Sequence, residues 1–422
     1  MITFGEIHEK INTLFKQKDR NYVLASQIIS AIIALISGKL IAIYVSPEDF
    51  GTYGIQFATY TFFTTLLIHP IIQFIKTSNN TLIPRIGIKP FVITMVVSIG
   101  ISYLLMASFL AWYYGTQLWP LFILLFFFIL TSSLNNVLND HLNIRNRLID
   151  FSKLALLRSI SALLFISLYF YIGYNYLTDI YALWAMQLFG GVLGLLFFGR
   201  KYHFYLGGFP VKYSSFFKKY IRYAWPLIFL ALWTWISNYF DRYAIEYFLS
   251  TEKVGIYSAS YGVGSKIFLV LSPIFMIMVT PQVYAVVKRD QKKKVLERYG
   301  KVYTTVAIPI LVVIYFTRNI IGKLLLSDQY SDGFFLIFWI AIAFYLLTLS
   351  KLYELYFFSE KNTRIIFYAN GLSALVNLLL NIILLKPYGL FGAAIASCIA
   401  FMVHFGIIFI KIKSENLRQN II

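Results

Sequence analysis

Apolar runs of about 20 residues, the length an α-helix needs to cross a roughly 30 Å hydrocarbon core, recur along the chain between short polar segments. They lie near residues 22 to 45, 50 to 75, 90 to 114, 118 to 139, 151 to 172, 179 to 199, 220 to 249, 254 to 287, 299 to 317, 332 to 358, 363 to 385 and 389 to 411. This pattern predicts about twelve membrane-spanning helices. The polar segment MITFGEIHEKINTLFKQKDR precedes the first run, which is too long for a signal-peptide core and reads as an uncleaved span. An even number of spans puts both termini on one side.

The pattern repeats. SPEDFGTY (46 to 53) and STEKVGIY (250 to 257) share S-x-E-x-x-G-x-Y, and about nineteen residues later LLIHPII (66 to 72) is answered by LVLSPIF (269 to 275). Each copy holds about six spans, so the copies share one orientation, as parallel repeats about an axis along the membrane normal do. The expected organisation is a cytoplasmic segment 1–21, an N-terminal six-helix bundle 22–200, a cytoplasmic linker 201–218 with Gly207, Gly208 and Pro210, a C-terminal six-helix bundle 219–411 and a cytoplasmic tail 412–422. Pro70 and Pro273 occupy matching places, and a proline within a span removes a backbone hydrogen bond and bends the helix. Both are hinge candidates.

Composition sharpens the class. Hydrophobic residues make up 59% of the 422, above the roughly 45 to 50% of soluble domains, and the mean hydropathy is +0.71. That excludes a soluble enzyme or a disordered tail. Only 13% of residues are charged, yet 37 Lys and Arg outnumber 18 Asp and Glu. With both termini cytoplasmic, about 28 of the basic residues fall in cytoplasmic segments, as the positive-inside rule requires. The richest stretches, 200 to 222 and 288 to 301, therefore read as topogenic charge and attraction to anionic membrane lipids, not as a nucleic-acid surface. Tyr and Trp gather at span ends, as in YYGTQLWP (113 to 120), where interfacial anchoring accounts for them.

Candidate chemistry is sparse. The single cysteine, Cys398, excludes a disulfide framework, and the five histidines show no metal-ligand spacing. There is no phosphate-binding loop, no nucleophile elbow, no HExxH and no long outer loop with paired carboxylates. Nothing calls for a cofactor, metal or hydrolytic activity, which leaves transport. Intramembrane charges then carry the information, because each costs at least about 2.5 to 3.5 kcal/mol at mid-membrane unless it meets a cavity or a partner. They are mainly cationic: Lys39, Arg158, Arg242, Lys266 and Lys351, with Asp241, Glu246 and Glu354 as acidic company in coupling or ion pairing. Arg242 with Glu246 and Lys351 with Glu354 have the spacing to pair on one helix face. Lys266 lies too deep to snorkel to the headgroups and is the leading cavity candidate. The small-residue runs FGGVLG (189 to 194) and GLFGAAIAS (389 to 397) read as close helix packing.

Three segments, VSPEDFGTYGI (45 to 55), YAWPLIFLALWTWISNYFDRYAIEYFLSTEKVGIYSASY (223 to 261) and LLLNIILLKPYGLFGAAIAS (378 to 397), carry a resemblance. The chain resembles the polysaccharide transporters of the multidrug, oligosaccharidyl-lipid and polysaccharide (MOP) exporter superfamily, especially Wzx-type O-antigen flippases. The resemblance implies an all-α integral membrane protein of two related six-helix bundles, similar to multidrug (MATE) exporters. It also implies alternating-access transfer of undecaprenyl-pyrophosphate-linked oligosaccharide, of O-antigen or capsule, to the outer leaflet of the bacterial inner membrane. Implied partners are the lipid-linked oligosaccharide and the glycan polymerase and chain-length regulator of the same pathway. Cavity cations would hold the pyrophosphate; Asp241-Arg242 falls in a motif of the resemblance, whereas Lys39 and Lys266 are assigned by depth and charge. Alternatives are a MATE-type ion-coupled drug exporter, whose cavity should be acidic, and a membrane glycan polymerase or ligase, whose expected large periplasmic loop is missing.

Overall fold

The structure is a computed structural model and describes residues 4–79, 81–115, 119–173, 179–199 and 213–419, with no side-chain description for residues 4–20 or 415–419. Among the described residues there are helices and no strands. In chain order they are α1 (Phe4–Tyr44), α2 (Pro47–Leu67), α3 (His69–Ser78), α4 (Ile83–Ile86), α5 (Lys89–Tyr114), α6 (Trp119–Ile144), α7 (Leu148–Leu168), α8 (Asp179–Phe198), α9 (Tyr213–Phe248), α10 (Thr251–Ala285), α11 (Arg289–Leu325), α12 (Leu336–Ser359), α13 (Thr363–Tyr388) and α14 (Leu390–Gln419). Large apolar side chains such as Ile32, Val96, Leu104, Phe197, Phe316 and Ile383 stay exposed on their surfaces. On a water-soluble protein such a surface would aggregate; here it is the face for lipid.

Ten helices are long and apolar enough to span a membrane, or eleven if the bent pair α2 and α3 is one span. The chain is thus a multi-pass membrane protein. The expected count of about twelve included α9, whose 36 residues would suffice in length; its Trp, Tyr, Asn and charged residues dilute its apolar stretch. The chain bends by 41° between α2 and α3, at the break just before Pro70. Pro273, at the matching place in the repeat, sits inside the unbroken α10. The basic stretch 288 to 301, expected to be a loop, is helical from Arg289, and the linker expected at 201–218 lies outside the described residues as far as 212.

Two compact units form: residues 1–40 with 63–228, and residues 41–62 with 229–422. In the first, α6, α7 and α8 meet at the glycine run. Asn135 donates from Nδ2 to the Gly191 carbonyl (2.9 Å) and the Thr131 carbonyl (2.8 Å). A Cβ on Gly190 would stand 2.8 Å from the Arg158 carbonyl oxygen, and one on Gly194 would stand 2.9 Å from Asn135 Oδ1. These glycines let α8 lie directly on α7, a packing role that matches the sequence reading.

In the second unit the repeated motif has a direct structural meaning. Ser46 and Ser250 are the N-caps of α2 and α10: each hydroxyl accepts from the backbone N–H three residues on, at Asp49 (3.1 Å) and Lys253 (3.2 Å). Glu48 and Glu252 sit in the first turns, where carboxylates suit the helix dipole. The motif glycines meet where α2 crosses α10: a Cβ on Gly51 would strike the Thr251 carbonyl, and one on Gly255 would strike the Pro47 carbonyl. Each glycine thus faces the backbone four residues before the other, a reciprocal contact. The short 3-10 turn Asp328–Gly333 closes the end of α1: Gln329 donates to the Ala42 (2.7 Å) and Val45 (3.0 Å) carbonyls, and Tyr330 donates to Val45 (3.0 Å). These donors satisfy carbonyls that the helix end leaves without partners.

Candidate functional site

The charged centre of the second unit is built on α9. Asp241 is 2% exposed and Arg242 8%. Adjacent residues on a helix point about 100° apart, so the guanidinium must fold back to reach its neighbour: Arg242 Nη1 donates to Asp241 Oδ1 (3.1 Å) and to the Asn238 carbonyl (2.8 Å). Asp241 Oδ1 also accepts from the Arg242 backbone N–H (2.9 Å), and Oδ2 accepts from the Tyr257 hydroxyl on α10 (2.7 Å). The rings of Tyr239 and Tyr261 lie 5.0 and 5.3 Å from the guanidinium carbon, close enough for cation–π attraction. Opposite charges, hydrogen bonds and ring faces together offset the cost of burying both ions.

The sequence singles out Asp241 and Arg242 and gives Arg242 the spacing to pair with Glu246. Arg242 instead bridges to Asp241, and the Glu246 carboxylate accepts from the Thr251 hydroxyl (3.2 Å). One turn of helix beyond Tyr261, Lys266 is half-buried and has no ion-pair or hydrogen-bond partner among the described residues. It stands about 22 Å along α10 from Thr251 at 1.5 Å per residue. Lys351 is exposed on α12 and does not pair with Glu354. Glu354 is buried, and its Oε1 lies 2.7 Å from Nε2 of the buried His404 on α14. Lys39 and Arg158 belong to the first unit, both half-buried and both engaged with neighbours. Tyr239, Tyr257, Tyr261 and His404 were missed. Only Tyr257 carried a signal, as the last residue of the repeated motif; the His404 to Glu354 separation of 50 residues has no local signature.

At the other end of this unit, Glu360 follows α12 and accepts from Arg289 Nε (2.6 Å) and Lys292 Nζ (2.7 Å) at the start of α11. Partial burial alone would raise the Glu360 carboxyl; the two cationic donors outweigh it and hold it below the ordinary carboxylate range. Lys293 lies 5.6 Å from the ring centre of Tyr356. These contacts explain why the basic stretch is helical: two of its lysines are buried against α12 and its cap. Among the described residues no cluster of His, Cys, Asp or Glu could hold a metal ion.

A family model described as polysaccharide biosynthesis protein matches residues 40–334. The chain belongs to this family. Among solved structures, the fold is similar to that of the lipid II flippase MurJ in an inward closed conformation, at a TM-score of 0.70 and 17% identity over 93% of this chain and 87% of that one. It is also similar to an inward-facing multidrug resistance MATE family transporter of the MOP superfamily, at 0.66 and 12% over 93% and 98%. A MOP superfamily transporter from Pyrococcus furiosus, whose binding pocket is described as reversed in polarity, gives 0.52 and 13% over 96% and 93%. A search of the curated proteins finds no match. At these identities the neighbours establish a MOP-type fold, and the family match establishes a place in polysaccharide biosynthesis.

Proposed function

We propose that this protein is a transporter, a flippase that carries undecaprenyl-pyrophosphate-linked oligosaccharide, an O-antigen or capsule repeat unit, from the cytoplasmic to the periplasmic leaflet of a bacterial inner membrane. Both termini would be cytoplasmic, and transfer would proceed by alternating access. The observation that carries the reading is Lys266: a cation half-buried near the middle of a spanning helix, without a counter-ion among the described residues, in a member of a polysaccharide biosynthesis family. An unpaired charge at that depth is costly unless it meets water or an anion. A pyrophosphate supplies the anion, and the likeness in fold to a lipid II flippase supports a lipid-linked substrate.

The glycan and the two phosphates would cross in a wet cavity while the polyprenyl tail stays in lipid. Lysine suits such a site because it makes flexible single contacts, and a substrate held much more tightly in one state would trap the transporter there. Lys39, Arg158, Arg242 and Lys351 are the further cations proposed to line the path, and Asp241, Glu246 and Glu354 the groups proposed to balance or couple it. Deleting the gene in its host, then measuring surface polysaccharide and the pool of lipid-linked oligosaccharide, tests this directly. Loss of surface polymer with accumulation of intact, unpolymerised lipid-linked unit is the expected result. Normal polymer with new sensitivity to cationic drugs would replace it with the second reading, an ion-coupled multidrug exporter. The buried Glu354 and His404 pair favours that second reading, because it places a titratable acid among the spanning helices.

A further inference from the structure

We infer that Asp241 is a built-in competitor for the substrate's phosphates: it occupies the Arg242 guanidinium when the site is empty and must be displaced before a pyrophosphate binds there. This rests on the flippase reading above and adds how the site sets its affinity. Three features of the pair support displacement over a permanent bridge. The contact is single, Nη1 to Oδ1 at 3.1 Å, and not the two-pronged fork that makes arginine–carboxylate pairs strong. A phosphate offers that fork.

The second feature is that Asp241 does not depend on the guanidinium. Its Oδ2 keeps the Tyr257 hydroxyl and its Oδ1 keeps the Arg242 backbone N–H when the side chain leaves, so the carboxylate stays hydrogen-bonded on both oxygens. The third is that the guanidinium has a resting place that does not involve Asp241. Tyr239 and Tyr261 flank it, and about 10% of the Arg242 side-chain surface remains open. The exchange replaces one anionic acceptor by another at Nη1 and breaks no other contact of Asp241. Once a phosphate is bound, the Asp241 charge repels it, which keeps the loaded state from becoming a trap. Asp241 is thus a positioning residue that acts through Arg242.

The test uses the full-length chain purified in detergent, with farnesyl pyrophosphate as probe and uncharged farnesol as control, read by tryptophan fluorescence. Asp241→Asn should bind farnesyl pyrophosphate about tenfold more tightly than wild type, by removal of a competing and repelling charge, with farnesol binding unchanged. In an Arg242→Gln background the same Asp241→Asn change should tighten binding much less, because the competition for the guanidinium is gone and only the charge repulsion is left; that non-additivity in probe binding is the coupling between the two residues. That double variant is charge-neutral and so leaves no uncompensated buried ion. If Asp241→Asn does not survive extraction, Tyr257→Phe carries the test without changing any charge. It removes one of the donors that hold Asp241, tightens the carboxylate on Arg242, and should weaken farnesyl pyrophosphate binding about threefold, the worth of one hydrogen bond. Equal or weaker probe binding by a folded Asp241→Asn, or unchanged binding by Tyr257→Phe, overturns the competitor. If wild type and every variant bind farnesyl pyrophosphate no better than farnesol, the cationic-site reading falls with it.

Discussion

Glu360 illustrates how one carboxylate holds two elements together. It accepts from both Arg289 and Lys292, and its carboxyl is held below the ordinary range. A lowered folded value means the stabilisation is fully present above the ordinary glutamate pKa of about 4.3 and is lost as the pH falls through the lowered folded value. Glu360→Gln should therefore lower the melting temperature of the detergent-solubilised protein at pH 7, and the gap to wild type should narrow in acid below that range. A gap that is constant with pH would sink this assignment. At Lys266 the expectation is functional: Lys266→Ala should reduce glycan export at unchanged membrane abundance, and normal export at equal expression would remove it from the path. Lys39→Glu should impair export more than Lys39→Ala, because a reversed charge repels phosphate; equal effects would favour a snorkelling role.

Between elements, the repeated motif works as a cap and a crossing point. Ser250→Ala removes the acceptor for the Lys253 N–H and should cost about 1 kcal/mol, visible as a lower melting temperature. Gly51→Ala and Gly255→Ala each push a methyl into the other helix's backbone and should each cost about 1 to 3 kcal/mol. Because the first methyl already separates α2 from α10, the double variant should cost less than the sum of the two. Strict additivity would mean that the reciprocal crossing is not shared.

Across the whole molecule, the asymmetry of positive charge makes a prediction about orientation. Cys398 is buried, so it is a quiet background for labelling with an impermeant maleimide. Lys294 on α11 and Glu252 on α10 are both exposed. Lys294→Cys should label only from the cytoplasm, and Glu252→Cys only from outside; reversed labelling would invert the proposed topology.

The sequence by itself determined that this is an all-helical membrane protein, that the motif S-x-E-x-x-G-x-Y occurs twice in it, and that its intramembrane charge is mainly cationic. Those properties follow from local physics: run length against bilayer thickness, backbone hydrogen bonding in lipid, and the cost of a lone charge. Among the intramembrane charges it singled out Asp241-Arg242 and Glu354 as candidates. Partner choice was decided only by the tertiary structure. Helical spacing offered Glu246 to Arg242 and Lys351 to Glu354, yet Arg242 turned to Asp241 and Glu354 to His404, 50 residues away. For the buried Glu354, the donor on a neighbouring helix outweighs the weak attraction of a surface pair one turn along, and no periodicity encodes which helix that will be; Arg242 folds back on its own chain neighbour because Asp241 is buried beside it and held in place by Tyr257 from α10.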